Sequence, residues 1–415
     1  MSASRRGQRG LSLIELMVAV ALSILLVLGL VQVFAASRAS YQMAQGMART
    51  QENGRFAMEY LQRDARMVGH LGCVNDQSRF LPSLPLVGEL FLKDRKDFST
   101  VPTVAHGQAL RFDYAVQGYD ANGTAPGSTL TLAAPLAAGA AGDWSPQLPP
   151  MLQAASGEPI PVKGSDILVM RMLSPESAAI ASFAPDTATL GVNISADAAQ
   201  WKALKRNGEA PALLAAADCR MALLFQASTI AENAAGTSIG VTVSGLNQSG
   251  LNARDQFDAS LGQVRLYRAD IAAYYVGLDP TSRLPSLYRM SFSSVPGSGA
   301  LTRRVEEIAP GVENLQLLYG QDSSAGAAAT SLPTGYINSQ VTAANIKPSS
   351  SDRAGWQRVG TIKAGLLVRS PEPAVSAVPQ NAPTVLGTTI VAADDQRYRA
   401  VYETSIALRN RLFGN

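Results

Sequence analysis

The sequence predicts an α+β fold, one long N-terminal helix packed on an antiparallel β-sheet. Three observations lead there. A run without charge, residues 16–37, passes into a second helical pattern, and no proline interrupts the chain before Pro82. Downstream, short segments rich in aromatic and β-branched residues are separated by Gly, Pro, Asp and Ser. Other helical patterns are few and short, at 196–205 and 210–217.

The N-terminal pattern has two halves. At 1.5 Å per residue, residues 16–37 make a helix about 30 Å long, enough to cross the hydrocarbon core of a bilayer. Arg5, Arg6 and Arg9 precede it, which holds the N-terminus in the cytoplasm and sends the remainder across the membrane. An ordinary secretory signal has a shorter apolar region. A plain single-pass anchor accounts for the length, but not for Gly10 directly before the run or Glu15 within it. An acid in a membrane helix is costly and marks a functional position. In the second half, Phe56, Ala57, Tyr60, Leu61, Ala65 and Val68 fall on one face, while Arg55, Glu59 and Arg63 recur every four residues on another. Gly69 and Gly72 end the pattern, so one helix from about residue 11 to about residue 69 is expected.

Composition narrows the chemistry. The 415 residues suffice for two or three folding units. Lys and Arg exceed Asp and Glu by 35 to 32, and the three leading arginines account for the whole excess. A nucleic-acid partner is therefore not expected. Cys73, Cys219, His70 and His106 show no metal-binding spacing, so neither a metal nor another cofactor is expected. Two cysteines in a long chain fit one disulfide in an exported protein or two buried thiols. Passage across the membrane favours a Cys73–Cys219 bridge, which would tie the helix end to the sheet.

Strands are expected at 109–116, 166–173, 221–229, 264–268, 271–276, 286–292, 315–319, 361–368 and 398–408. Two stretches read as loop insertions, 121–164 (rich in Ala, Gly and Pro) and 321–352 (rich in Ser, Ala and Thr). Catalytic patterns are weak. Gly236-Thr237-Ser238-Ile239-Gly240 has the spacing of a nucleophile elbow, but the alternating residues after it read as a strand where the elbow needs a helix. Asp120-Ala121-Asn122-Gly123-Thr124 begins like a calcium loop and lacks its closing acid, so a turn is expected. Tyr274 and Tyr275 read as cross-strand packing. No catalytic residue is expected, and association rather than catalysis is the expected mode of action.

The segment Arg9-Gly10-Leu11-Ser12-Leu13-Ile14-Glu15-Leu16-Met17 resembles the class III signal of type IV prepilins and pseudopilins: a basic leader ending in Gly, an apolar run, and Glu at its fifth position. The resemblance implies that a prepilin peptidase cuts between Gly10 and Leu11, that Leu11 is then N-methylated, and that Glu15 sets register during assembly by pairing with a mature N-terminal ammonium. The family usually has Phe at the first mature position and accepts Leu. Ala273-Tyr274-Tyr275-Val276-Gly277 with Pro285-Ser286-Leu287-Tyr288-Arg289 is similar to a hairpin of the PilW family of minor pilins. The stretch from Glu306 to Gly320 is similar to that family's helix or turn leading into a strand; Gly365 to Ser370 and Ile406 to Asn410 also fit.

By resemblance the chain has a type IV pilin fold. It divides into a leader (1–10), a transmembrane and pilus-core helix (11–36), its amphipathic continuation (37–72) and a periplasmic or extracellular β-rich domain (73–415). The implied role is a minor pilin that primes pilus assembly, at the tip in one version. The implied partners are other minor pilins, the major pilin, the prepilin peptidase, the inner-membrane assembly machinery and the membrane itself. It would reside in the inner membrane before assembly and in the pilus afterwards. A minor pseudopilin of a type II secretion system shares the N-terminus, and a membrane-anchored exported enzyme is a more distant alternative.

Overall fold

The computed structural model describes residues 12–73, 109–112, 114–186, 191–219, 222–234, 236–247, 263–326, 333–348, 353–373 and 381–411. Its architecture is α+β. A single helix, α1 (Leu13–Met67), leads into a mostly antiparallel β domain. Ser12 caps α1, its hydroxyl accepting from the Ile14 amide, and Gly69 and Gly72 leave it with positive φ. That left-handed conformation is cheap for glycine alone, which is why the helix stops there.

In chain order, β1 (Val116–Ala121), β2 (Thr129–Thr131), β3 (Trp144–Ser145) and β4 (Ile160–Pro161) come first. The long β5 (Ile167–Asp186), β6 (Gly191–Ala196) and a short helix α2 (Ala198–Leu204) follow. Then come β7 (Leu213–Ala217), β8 (Ala222–Gln226), β9 (Thr229–Glu232) and β10 (Thr237–Val241). The C-terminal part holds β11 (Arg265–Leu278), β12 (Pro285–Ser294), β13 (Leu301–Pro310), β14 (Val312–Asp322) and β15 (Ile337–Val341). After the one-turn α3 (Arg353–Trp356), it closes with β16 (Val359–Arg369), β17 (Thr384–Val385), β18 (Thr388–Val391) and β19 (Arg399–Ala407).

Among the described residues these form three sheets. The largest runs β13-β12-β11-β5-β6-β10-β9, with β1, β3, β4, β7 and β8 branching from it. The second runs β15-β14-β16-β19, and β17-β18-β2 is a small third. Strand β11 is buried on both faces, so its residues serve two cores. Ala272, Tyr274 and Val276 pack with α1 and with β14 and β16, while Ile271, Ala273 and Tyr275 pack with Trp144 and Leu224 on the other side. A third core, with Trp201, Leu214, Phe225 and Ile239, fills the lobe around α2. The amphipathic half of α1 is thus a wedge between the first and second sheets.

Several sequence expectations need correction. The segments at 264–268 and 271–276 are one strand, β11, with a register shift between Tyr267 and Ala269. The strand expected at 109–116 begins only at Val116; Ala109 and Leu110 form a turn before it. The helical pattern at 210–217 is in fact β7, all five residues buried between β8 and β11. Alanine favours helices in isolation, but burial on both faces of a paired strand outweighs a few tenths of a kcal/mol per residue, about the scale of such propensities. Of the helix or turn expected to lead into a strand within 306–320, the structure has the turn. Strand β13 runs to Pro310, Gly311 turns with φ 80°, and β14 begins at Val312. A Cβ at Gly311 would lie 2.7 Å from the Arg369 carbonyl oxygen, so the turn needs glycine on two counts. The 321–352 stretch includes β15, an edge strand of the second sheet.

Candidate assembly interface

Among the described residues, the first half of α1 has no partner from its own chain. Its 18-residue apolar window is wholly unburied, and Leu13, Ile14, Leu26, Val33 and Phe34 are each at least 70% exposed or nearly so. An exposed apolar surface of this extent is unstable in water and requires lipid or other apolar helices around it. At its start, Ser12 and Glu15 form a capping box: the Ser12 amide donates to Glu15 Oε2 at 3.0 Å. The acid therefore also satisfies one of the backbone donors that a helix N-terminus leaves open. Gly10 and Leu11 lie outside the described residues.

The second half of α1 is seated by a stripe of mostly small residues. Gly46, Thr50, Gly54, Ala57, Met58, Leu61 and Ala65 form the buried stripe. Phe56 and Tyr60, expected on that face, lie off it. Phe56 is 45% exposed and packs on the Tyr60 ring at 4.7 Å. Space explains the difference, because the Tyr402 ring of β19 lies against Gly54, where even a Cβ would approach it to 2.4 Å.

Polar contacts lock the seat. Asp64 Oδ2 accepts from Arg289 Nε of β12 at 2.8 Å and from the Tyr274 hydroxyl of β11 at 2.7 Å. Burial, with the Asp64 charge beside it, pushes the Tyr274 hydroxyl well above its ordinary range, so it remains a donor. Asn53 donates to the Pro310 carbonyl and Gln62 to the Thr404 hydroxyl. Beyond the helix, the Gly69 amide donates to the Arg171 carbonyl. The Cys73–Cys219 disulfide then joins the helix end to the β7–β8 turn, with a sequence separation of 146. The bridge links two exposed cysteines.

The other motifs do not assemble into a catalytic site. Ser238 sits within β10, paired with Ser195 of β6 and Ala231 of β9, with no turn into a helix. Asn122 and Gly123 form a turn after β1. Tyr275 stacks on Tyr288 at 5.9 Å. His70 Nδ1 lies 3.2 Å from the Leu173 carbonyl oxygen, and His106 is outside the described residues. No group of three or more potential metal ligands occurs among the described residues. The clamp of Asp64, Tyr274 and Arg289 was not legible in the sequence. Its one local signal is an acid directly before Ala65 at the edge of the apolar stripe.

Comparison with known families agrees with this division. Residues 5–31 match the prokaryotic N-terminal methylation motif. Residues 273–410 match the family described as type IV pilus-assembly protein W, PilW, a span from the middle of β11 past β19. No curated protein and no solved structure matches the chain. The chain therefore joins a prepilin-type N-terminal methylation motif, at the start of its exposed apolar helix, to a C-terminal segment similar to the PilW family of type IV pilus-assembly proteins.

Proposed function

We propose that this protein is a minor type IV pilin that joins other minor pilins to prime pilus assembly, at the fibre tip. In this reading residues 1–10 are a leader removed by prepilin peptidase after Gly10. Leu11 becomes the N-methylated terminus, residues 11–36 cross the inner membrane and later line the pilus core, and residues 37–72 continue the helix. The β-rich remainder stands in the periplasm and then on the fibre. The protein acts by association, not catalysis.

The observation that carries the reading is the contrast along α1. Among the described residues its apolar half has no partner within the chain, whereas its amphipathic half seats a buried stripe against the two sheets. Side-by-side packing of such apolar halves from several subunits, inside a membrane or a fibre, satisfies that surface. Glu15 supplies specificity. A mature ammonium at Leu11 needs a counter-charge in an apolar environment, and only one axial offset between two helices brings the groups together. The test is co-purification of partner pilins with Glu15→Ala, alongside the N-terminal mass of the same protein. Normal processing with lost partners supports the assignment, and wild-type partner binding overturns it.

A further inference from the structure

Asp120 and Asp166 take no part in seating α1, yet they stand at the joint between the first and second sheets. Strands β1 and β5 pair with Gly118 opposite Leu168 and Tyr119 opposite Ile167. One step further along this register, Asp120 is opposite Asp166. Both lie on the face that carries Val116, Leu168 and Met170 into the core shared with the second sheet. Asp120 is 8% exposed and Asp166 2%. Asp166 spans the joint: Oδ1 accepts from the Ala121 amide of β1 and Oδ2 from the Leu317 amide of β14, each at 2.8 Å. Its own amide donates to the Leu315 carbonyl of β14. Asp120 faces the Thr342 hydroxyl and the Ala344 amide, just beyond β15, and its Oδ1 has no hydrogen-bond partner. The Tyr319 hydroxyl of β14, fully buried, has none either. Gly118 makes room for that hydroxyl, since a Cβ there would lie 2.0 Å from it.

Like charges directly opposite in an antiparallel pair repel, and two carboxylates in so dry a site do not both ionise readily. The titratable groups facing the pair are the two acids themselves and Tyr319. Thr342, Ala344, Ala121 and Leu317 offer neutral donors. No salt bridge reaches either carboxylate among the described residues. We propose that Asp120 and Asp166 hold one proton between them at neutral pH, and that this singly protonated pair is a pH-sensitive clasp between the two sheets, loosened when the last proton leaves two facing charges.

Burial acts on both groups in the same direction. Burial raises Asp120 to about 6, with Thr342 and Ala344 partly offsetting it. Burial first, and the Asp120 charge second, raise Asp166 well above the ordinary carboxylate range. Both values are raised on folding. The stability is therefore fully present below the unfolded range, near about pH 4, and is lost as pH climbs through the folded values. The clasp is tight in acid and loosens toward alkali. The pair titrates as a unit, so the loss spreads across both steps.

The test uses the full-length protein in detergent. Infrared spectra at neutral pH should show a protonated-carboxyl C=O band that Asp120→Asn removes. Thermal unfolding between about pH 5 and pH 8 should show a falling melting temperature that Asp120→Asn flattens, raising it at the alkaline end by about 2–3 °C. Asp166→Asn, which turns an amide against a backbone N–H, should melt lower at every pH. Absence of the protonated band in the wild type would overturn the proposal. So would an unchanged pH profile in Asp120→Asn, or stabilisation of the wild type but not Asp120→Asn by calcium or magnesium, which would make the pair a cation site.

Discussion

Along residues 13–34, α1 exposes large apolar side chains around its whole circumference. Along residues 46–65 it buries a narrow stripe in which Gly46, Thr50, Gly54, Ala57 and Ala65 are all small. The two halves therefore solve different packing problems. The second half meets a fixed partner, two sheets of its own chain, and is shaped to it residue by residue: Gly54 under Tyr402, Asp64 against Arg289. On the proposed function the first half suits a bilayer and then neighbouring helices, so bulk and hydrophobicity matter there more than shape. Its one specific feature is the Ser12–Glu15 cap at the very start. The proposed function thus concentrates specificity in the first half at a single charged position, whereas in the second half the fit is spread over many contacts.

Substitutions can break or sharpen this comparison. The largest effect is expected at the leader. Gly10→Val should abolish processing and leave the full-length precursor in the membrane, read by the mass of the N-terminal peptide. A normally cut product would remove the prepilin assignment. Glu15→Ala comes next: partner recovery should fall at least tenfold, while the melting temperature of the β domain stays unchanged. A drop in melting temperature comparable to that of a core mutant would erase the contrast between the halves.

In the second half the effects should be on stability. Asp64→Ala strands Arg289, whose side chain is only 9% exposed, and should cost about 3 kcal/mol in denaturant unfolding. Asp64→Asn, which keeps an acceptor for Tyr274, should cost less. Cleavage after Gly10 should be normal in both variants. Removing the disulfide with Cys73→Ser should cost about 2–4 kcal/mol, and it too should leave processing untouched. Alkylation of two free thiols in the native protein would refute the bridge. The smallest effect belongs to Glu15→Asp. One methylene shorter, it should keep the charge and lose part of the partner recovery, whereas full recovery would mean that charge alone suffices.

How far the fold was legible varied along the chain. The helix was readable because apolar spacing near 3.6 residues and the terminal glycines are local signals. Strands β12, β14 and β16 were readable from runs of Leu, Val, Ile and Tyr bounded by turns. Strand β7 was not: Leu213-Leu214-Ala215-Ala216-Ala217 carries a helical propensity, and only its place between β8 and β11 makes it a strand. The buried stripe of α1 differs from the expectation at Phe56 and Tyr60: size and hydrophobicity suggest burial there, but the helix seats Gly54, Ala57, Met58 and Leu61 against the sheets instead.

By itself the sequence determined which half of the helix is long and apolar enough to cross a membrane, where the helix begins and ends, and which motif stands at its start. Each of these depends on residues within a few turns of one another. Tertiary structure alone decided that Asp64 meets Arg289, 225 positions away, and that Asp120 faces Asp166. It also decided that a glycine on the helix receives a tyrosine ring from the last strand. Such pairings follow from strand register and sheet order. A shift of one residue in register turns every side chain to the opposite face, so no local pattern in the chain can specify them.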